Sequence, residues 1–379
     1  MEEQTPQHEP RAGNTNGHIP HRNKWLAKWH ELIAPWQRLD LKYRVLILLA
    51  IGVFLVAATS AALRVIIKEP EPIVPAYIPP PEEPEPTTAP SPLTGVEVSI
   101  AKTKLPVTGV MIENSPEARP QTGLEQAGVV FEALAEGGIT RFLALYQESQ
   151  PETIGPVRSA RTHYLDFLAP FDAAIAHAGG SARALDEIRR QGIKDLDQAH
   201  HPNYYQRTNN RYSPHNLYTN RKQLLQLHKE KGFTSSKFDG YARKEADPAK
   251  KPSATKINID VSSFNYNSSY TYHKKSNSYK RNMANKPHTD EKSGKQITPE
   301  VVIALETSYR KDGIYSIYGV TGKGKVTVFQ DGKATVGTWS KKNRKSPYVF
   351  KAKDGELLAL NPGQTWIAMV TAGDISFSK

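Results

Sequence analysis

The sequence predicts an α+β protein: a membrane-anchored two-domain ectodomain, with a mixed α/β N-terminal module followed by a mainly antiparallel β C-terminal module. Three observations predict it. Val45 to Leu63 run 19 positions without a charge. Between about Val96 and Gly240, apolar runs alternate with capped helical segments. After Lys256, short β-type runs are separated by turn dipeptides.

The anchor comes first. At ~1.5 Å per residue the charge-free stretch spans about 28 Å, close to the ~30 Å hydrocarbon core of a bilayer, so 45–67 is expected to be a transmembrane helix. A cleaved signal peptide is the rival, because Ala57 to Ala62 offers small residues. Residues 1–44 are too long for a signal n-region and favour an uncleaved anchor. Arg38, Lys42 and Arg44 precede the span, and Glu69, Glu71, Glu82, Glu83 and Glu85 follow it. The positive-inside bias then puts 1–44 in the cytoplasm and the C-terminal domains outside the cell membrane, although Arg64 and Lys68 run against it. Trp25, Trp29, Leu32, Ile33 and Trp36 recur at helical spacing, which fits either a short amphipathic helix on the inner membrane face that stops or bends at Pro35 or a solvated juxtamembrane segment. Residues 1–22 are expected to be disordered. Residues 68–95, rich in Pro and Glu, are expected to form an extended polyproline stalk.

Two modules follow. In 96–240, Val107–Glu113, Val129–Leu134, Arg141–Tyr146 and Ala173–Ala176 read as strands. Tyr164–Leu168, Ala182–Arg190 and Lys222–Lys231 read as helices, with Gly192 and Gly232 placed as C-terminal caps. The basic, Ser-rich stretch Ser235–Ala254 reads as a linker. In 255–379 the expected strands are Ile257–Phe264, Tyr266–His273, Val301–Glu306, Ile314–Tyr318, Lys325–Phe329, Ala334–Trp339, Tyr348–Lys351 and Trp366–Val370. Asp331-Gly332, Asp354-Gly355 and Asn361-Pro362-Gly363 supply the turns of hairpins. Trp339 and Trp366 are expected in the core, with a sugar-stacking platform as the sharper alternative.

Composition narrows the chemistry. Of 379 residues, 38% are hydrophobic and none is cysteine. A disulfide framework, thiolate-bound zinc, iron–sulfur ligation, a thiol nucleophile and a lipid-modified cysteine are thereby excluded. The net charge is +12, and Arg221 to Lys295 alone hold 17 Lys+Arg against 7 Asp+Glu. Such a stretch suits an anionic cell-wall polymer or lipid headgroups, or is a solvated linker. Nucleic acid is disfavoured because no nucleic-acid-binding motif accompanies it.

Several motifs carry a resemblance. The run IENSPEARPQTGLEQAGVVFEALAEGGITRFLALY, then IGPVRSAR, HAGGS and Arg211-Tyr212-Ser213-Pro214-His215-Asn216-Leu217-Tyr218, resembles the YerB-like family (domain-of-unknown-function family 3048). KPHTDEKSGKQI, FQDGKATVGTW and LNPGQTW are similar to its C-terminal domain. Together these regions cover nearly all of the chain beyond residue 95. The resemblance implies an envelope protein of largely Gram-positive bacteria, exported as a lipoprotein or membrane-anchored, and it carries over no catalytic residue. This chain departs from lipoprotein members in lacking the acylated cysteine; its helix would take over the anchoring.

Polar residues gather beside the expected strand ends. The ligand-binding candidates are Asn114, Arg119, Gln121, Arg141, Arg158, Ser159, Arg161, Arg211 and His215. If a helix starts near Pro156, Arg158 and Arg161 share a face and sit with Ser159 at its N-terminal end, where a phosphate or carboxylate would bind. Ala178-Gly179-Gly180-Ser181 offers a second such terminus. The alternative is that these arginines pair with Glu132, Glu136 and Asp166. A glycan hydrolase or transferase would use two of Glu113, Glu132 and Glu136, of which Glu132 and Glu136 are the catalytic candidates. Ser181 with His177 or His215 lacks a nucleophile-elbow motif. His177, His215 and Asp290 lack metal-ligand spacing, so neither a metal nor a cofactor is expected. The expected function is binding or scaffolding, toward an anionic envelope polymer or a partner protein; the hydrolase is the alternative.

Overall fold

The computed structural model describes residues 24–67 and 86–379. The chain divides into two units, Met1–Glu83 and Pro84–Lys379. The expectations for 1–22 and for most of the proline-rich stalk lie outside the described residues.

In the first unit, α1 (Lys24–Gln37) continues two residues beyond Pro35. The helix α2 (Leu41–Ile66) has 26 residues and no buried side chain. It is long and apolar enough to cross a membrane. The hydroxyls in its apolar stretch donate back along the helix, Thr59 to the Leu55 carbonyl at 2.8 Å and Ser60 to that of Val56 at 2.6 Å. Neither of these two hydroxyls is left needing water.

The second unit is α+β. Its main strands are β1 (Thr108–Glu113), β2 (Val129–Glu136), β3 (Ile139–Tyr146), β4 (Ala174–Ala176), β5 (Lys256–Ile259), β6 (Ser268–His273), β7 (Ser278–Met283), β8 (Val301–Glu306), β9 (Tyr309–Asp312), β10 (Tyr315–Tyr318), β11 (Gly322–Gln330), β12 (Lys333–Lys341), β13 (Val349–Ala352), β14 (Thr365–Val370) and β15 (Ile375–Ser378). Its longer helices are α3 (Thr162–Leu168), α4 (Ala182–Arg190) and α5 (Arg221–Glu230). The large sheet runs β13-β12-β11-β8-β14-β2-β3-β1-β4, with the β9–β10 hairpin against β2. A smaller sheet holds β7-β6-β5-β15 and the short strand Lys286–Pro287.

Both sequence halves contribute to one sheet: β14 pairs in parallel with β2, from Thr365 opposite Val129 to Ala368 opposite Glu132. The sheet is covered on both faces, which is why its central strands read as unbroken apolar runs. On one face, Met111, Phe131 and Ile367 pack with α3 and α4. On the other, Ile112, Phe142 and Trp366 pack with α5 and the smaller sheet. Trp339 and Trp366 are both core residues. The Asp331-Gly332 turn has φ of +57° and +71° and joins β11 directly to β12, the geometry of a two-residue primed hairpin.

Two expectations change. Residues 88–94 belong to the folded unit: Thr88–Pro90 pairs with Glu97–Ser99, Leu93 is buried, and Ser91 donates to Glu148 at 2.9 Å. Ser235–Ala254 is a strap rather than a loose linker. Phe238 and Tyr241 pack on the core, and Arg243 donates to the carbonyls of Asn361 and Leu93. Arg221 and Arg281 are buried as well, so part of the basic stretch serves the interior.

Candidate functional site

Parallel pairing makes β8, β14, β2, β1 and β4 point the same way. Their carboxyl ends therefore lie along one edge of the sheet, where open α/β sheets present ligand-binding loops. Glu113 ends β1, Glu136 ends β2, and His177 follows β4. Most of the predicted residues are brought to this edge.

Glu136 is held between two arginines. Arg161 bonds it through Nε at 2.8 Å and Nη2 at 2.7 Å, and Arg141 bonds the same carboxylate. Arg141 also donates to the Ser159 carbonyl at 3.0 Å, and Ser159 to that of Ala178 at 2.9 Å. Glu113 lies 3.2 Å from Arg158 and accepts from His215 Nδ1 and Ser115, each at 2.9 Å. No helix starts at Pro156. The backbone from Val157 to Ala160 is committed to extended partners: Val157 bonds Leu217, Arg158 bonds Met111 and Ala160 bonds Gly179. Arg158 and Arg161 consequently serve different carboxylates rather than one helix face. The helix that does follow, α3, is only seven residues long.

Glu132 lies elsewhere. It is fully buried and accepts from Arg281 at 2.7 Å and from Trp366 Nε1 at 2.9 Å. Arg281 donates onward to His288 Nδ1 at 2.5 Å, and His288 Nε2 donates to Gln121 Oε1 at 2.8 Å. That pattern fixes a neutral imidazole. Burial first, then the Arg281 and Arg119 charges, push its pKa well below the ordinary histidine value. Gln121 passes the chain on to the Glu113 carbonyl at 2.9 Å and Asn114 Oδ1 at 3.0 Å. A polar thread thus crosses the interior between the sheets. Sequence reasoning missed its C-terminal half; the one signal was Arg281 falling in phase with the inward Tyr279 and Met283 of β7.

The other predicted groups are structural by their contacts. His177 is buried, with Nε2 2.9 Å from Asp195 and Nδ1 2.7 Å from the Gly179 carbonyl, and Ser181 caps α4 by accepting from Ala184 N–H. Arg211 clamps the 114–121 loop through the Ala118 and Pro120 carbonyls, at 3.1 and 2.7 Å, and pairs with Glu291 at 3.3 Å. Among the described residues, no three His, Asp or Glu side chains cluster as metal ligands.

Arg119 differs from its neighbours. Its Nε and Nη2 donate to Asn114 Oδ1 at 3.1 Å and to the Asn114 carbonyl at 2.8 Å, and its guanidinium lies 5.3 Å from the centre of the Tyr266 ring. All these partners are neutral. Among the described residues it forms no ion pair, and burial pulls its pKa below the usual arginine range. It lines a cleft of about 500 Å³ together with Phe264, Lys286 and His288.

Residues 93–234 match the family described as protein of unknown function (DUF3048) N-terminal domain, and residues 257–367 match its C-terminal domain. The chain belongs to the DUF3048 family. It is 32% identical over 289 residues to YerB of Bacillus subtilis (strain 168), whose name carries the word lipoprotein, covering 74% of this chain and 86% of that protein. The crystal structure of Bacillus subtilis YerB superposes with a TM-score of 0.70 at 30% identity, over 76% of this chain and 99% of the other. In DUF3048 terms, Glu113, Arg158 and Glu136 belong to the N-terminal domain, whereas Phe264, Lys286 and His288 come from the C-terminal one. The cleft at Arg119 is built by both.

Proposed function

We propose that this DUF3048 protein is a single-pass membrane-anchored envelope protein whose folded unit lies outside the cell and binds an anionic envelope polymer. The observation that carries this reading is Arg119. Among the described residues this half-buried guanidinium is hydrogen-bonded only to neutral partners. Glu132 and Glu117 act on it from beyond ion-pair distance, and burial outweighs them, so a directly bonded anionic ligand would supply the contact counter-charge it lacks. The clamps from Asn114 and Arg211 hold the loop in place before any ligand arrives, which limits the ordering cost of binding. The surrounding edge adds Arg141, Arg158 and Arg161 against Glu113, Glu117 and Glu136, so that with Arg119 the cations outnumber the carboxylates by one. The anchor reading is supported by α2, and the outer placement by the flanking charges and the lipoprotein name of the Bacillus relative.

The test is co-sedimentation of the full chain, in detergent, with isolated cell wall. Binding should weaken as salt rises, release no soluble fragments, and fall on Arg119→Gln. Release of soluble wall fragments that stops on Glu136→Gln would replace this reading with the hydrolase.

A further inference from the structure

The cleft beside Arg119 says more about its ligand than charge alone. Its walls are Pro116, Pro120 and Met283, with Phe264 at the rim on a 3-10 turn. Phe264 is 61% exposed although the turn's other aromatic, Tyr266, is buried against Arg119. A lone exposed aromatic is ordinary. An exposed aromatic at the mouth of a concave, partly apolar cleft that also holds a preorganised cation has the composition of a small-molecule site. Lys286, on the short strand Lys286–Pro287, adds a second cation to the lining, and it too forms no ion pair among the described residues.

We propose that this cleft is a subsite for a carboxylate-bearing pyranose, with the apolar face of the sugar on the Phe264 ring and its carboxylate on the Arg119 guanidinium. This rests on the anionic-polymer reading and narrows it to an acidic glycan. The chemistry favours a sugar over a bare polyol phosphate. A glycerol-phosphate chain would satisfy Arg119 and Lys286 but offers no ring face to cover Phe264 and the proline walls. The planar guanidinium fork suits a carboxylate: Nη1 and one proton of Nη2 remain free of hydrogen bonds among the described residues. The cleft volume of about 500 Å³ has room for more than one sugar ring. No bond is made or broken in this proposal.

The experiment titrates the full chain in detergent with N-acetylmuramic acid, galacturonic acid, N-acetylglucosamine and glycerol phosphate, read by calorimetry. The two carboxylated sugars should bind and N-acetylglucosamine should not. Phe264→Ala, at an exposed position that leaves the core intact, should weaken the acidic sugars about tenfold. Arg119→Gln should weaken them roughly tenfold or more. Equal binding of glycerol phosphate, unaffected by Phe264→Ala, would overturn the sugar assignment while leaving the anionic-polymer reading standing. So would wall co-sedimentation that needs Arg119 but not Phe264. Absence of binding to the probes and to cell wall alike would overturn both.

Discussion

Glu132 of β2 accepts a hydrogen bond from Arg281 of β7 at 2.7 Å across 149 residues of sequence, with both side chains fully buried. Arg281 also lies 4.3 Å from the centre of the Trp366 ring, and Trp366 bonds the same carboxylate oxygen. The pair therefore joins a strand of the first family segment to two strands of the second. Removing one member of a buried pair strands the other as an uncompensated charge. Glu132→Gln is expected to cost about 3–5 kcal/mol in denaturant unfolding. The double change Glu132→Leu with Arg281→Met should recover part of that loss. A Glu132→Gln protein of unchanged stability would contradict this role.

Acid should destabilise the folded unit through its neutral histidines. Burial, helped by Arg161 and Arg141, depresses His163 to about 3. Burial likewise takes His228 to about 4, and His288 lies well below its ordinary value. Below about pH 6.5 the unfolded chain binds protons that these folded sites refuse. Stability is therefore present above that pH and lost as pH falls toward the folded values, at up to about 1.4 kcal/mol per pH unit for each histidine. His163 is the cleanest probe. Among the described residues neither ring nitrogen has a well-formed hydrogen bond, and the ring packs against Tyr164, Phe167 and Tyr318. His163→Phe should flatten the acid limb of a stability–pH curve with no loss at pH 8.

His177 has the opposite sign. Burial opposes its charge, but the hydrogen bond to Asp195 and the nearby Asp195 and Asp197 carboxylates outweigh it and raise its pKa. Its contribution is complete below the unfolded value near 6.5 and fades as pH rises through the folded one. His177→Gln should then lose more stability relative to the parent at pH 5.5 than at pH 9. A constant difference across that range would show that the imidazole acts through hydrogen bonding alone.

The hairpin turn allows a sharper test. Gly332 has φ of +71°, and a Cβ there would stand 2.6 Å from Tyr272 of the smaller sheet. Gly332→Ala meets both backbone strain and a clash with a ring fixed in the core, for an expected loss of at least ~1–2 kcal/mol. Gly355→Ala also has positive φ, +92°, but among the described residues nothing within 4 Å of its Cβ, and should lose less.

What was legible follows from the range of the interactions involved. Ala182–Arg190 and Val301–Glu306 have the bounds that their capping and apolar runs predict, because both signals are local. Gly192 and Gly232 do take positive φ. The strand β7 escaped because Ser278 to Met283 contains two cations, one of which turns inward to Glu132. Pairing of β2 with β14 joins positions more than two hundred residues apart, and no local pattern encodes it. At the site, the arginines and carboxylates were visible, but their partners were not. Arg158 and Arg161 looked like one helix face until the ladder bonds of Val157 and Ala160 are taken into account.

The arrangement of the chain across the membrane is the remaining prediction. The basic residues before α2 and the acidic ones after it favour an inner N-terminus, and α2 has the length to span. Protease added to intact cells should digest the unit beginning at Pro84 and leave a fragment ending shortly after α2. The stretch between α2 and the first described residues of the second unit holds the sites expected to be cut. Cleavage should not require detergent, and an epitope placed at the N-terminus should survive it. If the N-terminal epitope is lost while the folded unit is protected, the chain is inserted the other way round. The Arg119 cleft would then face the cytoplasm, and an envelope glycan could not be its ligand.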